Sequence, residues 1–105
     1  MIGEGGDAKL IYYVIESGSA VTKEVDVFIK EVDIFGNEFY TSYQSGINVN
    51  CAFEVNSYDF EETRHIDQDT NKPMYASEVE YNGARYNIIR HQSLKNSEDI
   101  LLICG

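Results

Sequence analysis

Few side chains in this sequence are suited to chemistry. His65, His91, Cys51 and Cys104 are the groups that titrate or act as nucleophiles closest to neutral pH. Two histidines supply half of a zinc site and leave two ligands to be found. No G-x-S-x-G, Cys-His signature or phosphate-cradling glycine loop is present. Gly3, Gly5 and Gly6 precede no strand-to-helix turn, so they read as part of a tail. Cys51 has the inward parity of an alternating strand, which suits a small core residue better than a nucleophile. Carboxylates abound, but the sequence obliges none to be buried, and burial is what tunes an acid–base pair. No enzyme and no cofactor are expected.

One acidic pattern points to a metal. Asp67, Asp69, Asn71 and Glu78 fall at positions 1, 3, 5 and 12 of a calcium-loop spacing. Position 6, where that loop turns on glycine, is Lys72, and no amphipathic helices flank the segment. The expectation is a solvated acidic loop, with a small calcium- or ligand-binding β-module as an alternative.

Charge narrows the partners. Eighteen acidic residues against eight basic ones give a net charge of −10. Such a surface lacks the basic face that binds phosphates or an anionic membrane. No apolar run approaches the roughly 20 residues that cross a bilayer. No basic segment followed by an apolar stretch marks a signal peptide, so the cysteines are expected as reduced thiols, although spacing alone leaves a bridge open. The charges also segregate. Glu54, Asp59, Glu61, Glu62, Asp67 and Asp69 crowd one segment, whereas residues 82–97 hold Arg85, Arg90, His91 and Lys95 with no acid. The two stretches are either ordinary solvated surfaces or complementary patches that set register between copies.

The elements that position these groups read as strands. Val25, Val27 and Ile29 alternate, then parity slips to Val32 and Ile34, which a bulge near Lys30-Glu31 would reconcile. Ile47, Val49, Cys51, Phe53 and Val55 give the strongest alternation. Asn82-Gly83 joins two strand-like runs and predicts a hairpin, since both turn residues need positive φ. Further strands are expected over residues 9–16 and 99–103, with turns at Ser17-Gly18-Ser19 and Phe35-Gly36-Asn37-Glu38. The fold expected is all-β: a small antiparallel β-barrel or sandwich of about six strands with one long loop. Residues 1–8 read as a flexible tail and residues 9–105 as a single β domain. The long loop covers residues 56–77, with Ser57 able to cap a short helical turn. Loops of that length in compact domains are usually functional or disordered. Doubled back, this one reaches on the order of 35 Å. Tyr58, Phe60 and Tyr75 would anchor it on a neighbour, with Glu61 and Glu62 facing Arg85 and Arg90 of another copy.

Val79-Glu80-Tyr81-Asn82-Gly83-Ala84-Arg85-Tyr86-Asn87-Ile88 resembles the V-x-Y-x-G-x-x-Y-x-I hairpin of bacteriophage head–tail connector proteins. Asp33-Ile34-Phe35-Gly36-Asn37-Glu38 is similar to their D-x-x-G-N-E turn, and the strand, long loop and hairpin come after it in the same order. The resemblance covers about residues 25–103. It implies a small β-barrel that forms a homo-oligomeric ring under the capsid portal, in contact with portal, adaptor and tail proteins. Such a ring belongs to the virion, is assembled in the bacterial cytoplasm, completes the head and retains packaged DNA. DNA passes through the channel without specific binding, and a negative wall suits that passage. Many members open with a basic strand, whereas this chain opens MIGEGGDAKLIYY. A tail-terminator or tail-completion ring is the alternative tier.

Overall fold

The computed structural model of the chain describes residues 2–32, 51–94 and 97–105. The turn expected at Phe35–Glu38, and residues 47–50 of the strongest alternation, lie outside these residues. The main strands are β1 (Ile2–Glu16), β2 (Ser19–Val32), β3 (Cys51–Asn56), β6 (Glu78–Tyr81), β7 (Ala84–Ser93) and β8 (Asp99–Cys104). These six close an antiparallel barrel in the order β1-β2-β3-β8-β7-β6. Between β3 and β6 lie a helix, α1 (Ser57–Glu61), and a two-stranded ribbon of β4 (His65–Ile66) and β5 (Pro73–Met74).

Period-two alternation builds the wall. Leu10, Val27, Ile29, Phe53, Val55, Val79, Leu102 and Cys104 point inward into one core. Phe53 meets Tyr81 edge-on at 5.5 Å between ring centroids and Tyr86 at 5.6 Å. Outward-facing Ala52, Leu101 and Ile103 form a second, smaller apolar cluster against which Val32 rests.

That second cluster explains the parity slip in β2. Lys30 and Glu31 continue in unbroken register against Glu54 and Phe53 of β3, so β2 itself has no extra residue there. Val32 has outward parity because the outer face offers it a covered site. The irregularity expected near Lys30-Glu31 lies across from them on β1, between Ile2 and Gly5, which pair with Val32 and Lys30. A Cβ on Gly5 would lie 2.6 Å from the Ile29 carbonyl oxygen, so the close approach there needs glycine. The segment expected as a tail is therefore strand from Ile2 onward. Both hairpin turns have two consecutive positive-φ residues, Ser17 and Gly18 in one, Asn82 and Gly83 in the other. Their twist matches that of the flanking strands.

Barrel closure uses only part of β1 and β2. β1 pairs with β6 over Ala8–Ile11, and β2 pairs with β3 over Ile29–Val32. The rest of the hairpin, about the Ser17-Gly18 turn, continues beyond these contacts as an arm, and the molecule measures 45 × 30 × 29 Å.

Candidate functional site

The segment expected as a long structureless loop, residues 56–77, is an ordered lid on one end of the barrel. Asn56, not Ser57, caps α1: its Oδ1 accepts from the Tyr58 N–H at 2.9 Å. Thr63 is the one buried polar residue among those described, and it ties the segment together. Its hydroxyl donates to the Phe60 carbonyl at 2.7 Å and accepts from the Ala76 N–H at 2.9 Å. Ser77 then bridges two walls, donating to the Ile11 carbonyl and accepting from the Ile88 N–H.

Three rings join this lid to β7. Phe60 stacks on Tyr75 at 4.9 Å, and His91 meets Phe60 at 4.8 Å and Tyr75 at 5.3 Å. A register shift between Ile88 and Arg90 makes this possible. One extra residue there reverses the parity of the rest of β7 and aims His91 at the lid. Packing against the rings partly desolvates the otherwise exposed His91 side chain and lowers its pKa below the ordinary value, against an opposing pull from Glu61. His91 of the basic hairpin thus meets Phe60 of the acidic segment through ring contact.

The interaction residues expected from sequence divide accordingly. Phe60 is 2% exposed and belongs to the core, which removes it as an anchor for a neighbour. Tyr75 is half-buried, with its hydroxyl donating to Glu61 at 3.3 Å. Tyr58 is 69% exposed, and Glu61 and Glu62 are exposed on the same short helix and its end. Arg85 is neutralised by its own sheet, with ion pairs to Glu78 at 3.6 Å and Glu80 at 3.3 Å. Arg90 is exposed, donating to Gln92 at 3.1 Å.

The calcium-pattern residues are not gathered. The Asp67 carboxylate accepts from the backbone and hydroxyl of Thr70 and so shapes its own turn. Asp69 and Asn71 are exposed within that turn, where Asn71 has a φ of 58°. Glu78 sits on the barrel wall, accepting from Tyr13 at 2.8 Å and pairing with Arg85. Among the described residues no three His, Cys, Asp or Glu side chains are placed to hold one ion.

Sequence reasoning missed the arm. Over Tyr12–Glu16 and Ser19–Phe28, each strand has a backbone edge without a ladder partner among the described residues. Tyr13 and Ile15 are 43% and 46% exposed. The ribbon lies alongside, with His65 stacked on Tyr12 at 5.1 Å and Gln68 donating to the Ile15 carbonyl at 3.4 Å. It adds exposed Ile66 and Met74. The only available signal was that the apolar positions run through Lys9–Glu16 and resume after Ser17-Gly18-Ser19.

A groove of about 690 Å³ opens beside β1, β2 and β6, lined by Asp7, Lys9, Asp26, Phe28, Asp59 and Glu80. Four carboxylates against one lysine repel a phosphate backbone and favour a cationic partner.

The fold and these surfaces define a closed six-stranded antiparallel β-barrel protein with a projecting hairpin and an acidic lid. Comparison with protein-family models, curated proteins and solved structures finds no match. No helix among the described residues is long and apolar enough to cross a membrane.

Proposed function

We propose that the chain is a structural, non-enzymatic component of a phage or prophage head–tail connector, forming a ring with copies of itself between the portal and the tail. The observation that carries this reading is the arm, an extension of β1 and β2 past the closed barrel whose backbone edges have no ladder partner among the described residues. Open edges pair readily with strands of another chain. A neighbouring copy is the partner that a ring supplies. Tyr13, Ile15, Ile66 and Met74 add apolar contact area beside those edges.

The acidic balance fits the same role. A net charge of −10 and the carboxylate-lined groove give DNA a surface to pass rather than to bind. The exposed Tyr58, Glu61 and Glu62 present the lid's outer side to an adjoining protein of the connector. The resemblance of residues 79–88 to connector hairpins supplies the particular assembly.

The test is complementation in a phage or prophage that encodes the chain. Deleting its gene is expected to yield heads that lack tails and lose DNA, and the wild-type gene restores infectious particles. Tailed, DNA-filled, infectious particles without the chain overturn the reading.

A further inference from the structure

The two thiols form a pair that neither the assembly reading nor the fold requires. Cys51 opens β3, Cys104 ends β8, and the two are direct partners across that antiparallel pair. Both are free thiols. Directly opposed residues in an antiparallel ladder have Cα atoms about 4.5 or 5.5 Å apart, depending on whether they are hydrogen-bonded partners. Both spacings fall in the roughly 4.4–6.8 Å range of disulfides. The side chains share the inward face: Cys104 is fully buried in the core, and Cys51 rests half-buried against it.

The pair is asymmetric in a way that suits stepwise oxidation. The hydrogen bond between the thiols holds Cys51 below the ordinary thiol value, despite its partial burial and the nearby Glu31. The same bond and deeper burial push Cys104 up. Cys51 is therefore the more accessible and the more readily ionised sulfur, the two properties that make an attacking thiol.

We propose that Cys51 and Cys104 are a reversible redox pair, converted by a low-molecular-weight disulfide into a cross-strand bridge that staples β3 to β8. In the first step the Cys51 thiolate attacks one sulfur of the small disulfide, forming a mixed disulfide and releasing one small thiolate. In the second step Cys104 attacks Cys51 Sγ and releases the other small thiolate, which takes up the Cys104 proton. The protein gives up two electrons and two protons, and the small disulfide is reduced to two thiols. The bridge closes a loop of roughly 50 residues that contains the lid and β6 and β7, which restricts the unfolded chain.

The experiment compares the purified full chain after incubation with excess oxidised glutathione and after dithiothreitol. Oxidation is expected to lower the intact mass by two hydrogens without a glutathione adduct, and to join the Cys51 and Cys104 peptides in a non-reducing digest. It is also expected to raise Tm on the order of 10 °C, reversibly. Cys104→Ala, which lacks the resolving thiol, is expected to retain one glutathione on Cys51. If that variant does not fold, the wild-type digest decides alone. Separate alkylation of both cysteines after oxidation overturns the proposal, as does a bond that joins two chains instead of closing one.

Discussion

The Thr63 hydroxyl accepts a hydrogen bond from the buried N–H of Ala76 at 2.9 Å, linking residues 13 positions apart. That contact helps turn an acidic, turn-rich stretch into a lid. Without it, the Ala76 donor would need another partner in a place closed to water, whereas the Phe60 carbonyl would keep the Thr63 N–H at 3.0 Å. Thr63→Val, which keeps the shape and removes the hydroxyl, is expected to destabilise the fold by about 1–3 kcal/mol. Thr63→Ser is expected to retain most of the stability. Urea unfolding of the two variants separates the hydroxyl from the methyl group.

Phe60 and Tyr58 sit two residues apart on α1 and have opposite fates. Phe60→Ala is expected to cost about 3–5 kcal/mol, as is Phe53→Ala in the barrel centre. Either loss is comparable with the whole stability of a small domain. Tyr58→Ala is expected to change stability by less than about 0.5 kcal/mol, because its ring faces solvent. Circular dichroism and thermal melts check the contrast.

Glycine positions in β1 give a second contrast. Gly5→Ala is expected to destabilise the barrel by about 1–3 kcal/mol, because the new methyl meets backbone at the β1 irregularity. Gly6→Ala meets the Tyr81 ring at 3.2 Å, a side chain with more freedom to give than backbone, and is expected to cost less. Urea midpoints of the two variants are the measurement.

The pH dependence rests on His91. Its folded-state pKa lies below the ordinary value of 6.5, so the unfolded chain binds more protons in the window below 6.5. Stability is unaffected by this group above that window and falls as pH drops through it. The slope is expected to be shallow because the ring is partly open to water. His91→Phe, which retains a ring against Phe60 and Tyr75, is expected to flatten the slope between about pH 7 and 5. Melts across that range in both proteins check it.

Much of the barrel was legible in the sequence because strand parity is a local signal. Cys51, Phe53 and Val55 alternate inward as read, and Asn82-Gly83 makes the expected turn. The β1 glycines misled because glycine ordinarily weakens a strand, and only its partner's close backbone reveals why it is needed. Val32 misled because a second apolar cluster outside the barrel is invisible to period-two reading. The lid was not legible: a hydroxyl bridging Phe60 to Ala76, and a bulge that turns His91 toward Phe60, are tertiary relationships with no local pattern. Arg85 looked free in sequence because its partners Glu78 and Glu80 belong to the facing strand.

On the proposed reading, the charges on the lid serve assembly rather than folding. Glu61→Lys combined with Glu62→Lys alters two exposed positions and is expected to leave the melting profile close to wild type. The same change is expected to lower the yield of infectious particles. Wild-type particle yield from a stably folded double variant would remove the lid from the contact surface.

The arm carries the central claim, and shortening it is the most direct measurement. A variant lacking residues 14–21, with the hairpin re-closed by Asn-Gly, keeps the β1–β6 and β2–β3 pairings intact. It is expected to fold with the wild-type β signature, yet to fail to restore DNA-filled, tailed particles to a phage deleted for the gene. Full restoration of infectious particles by this folded chain with its shortened arm would contradict the account.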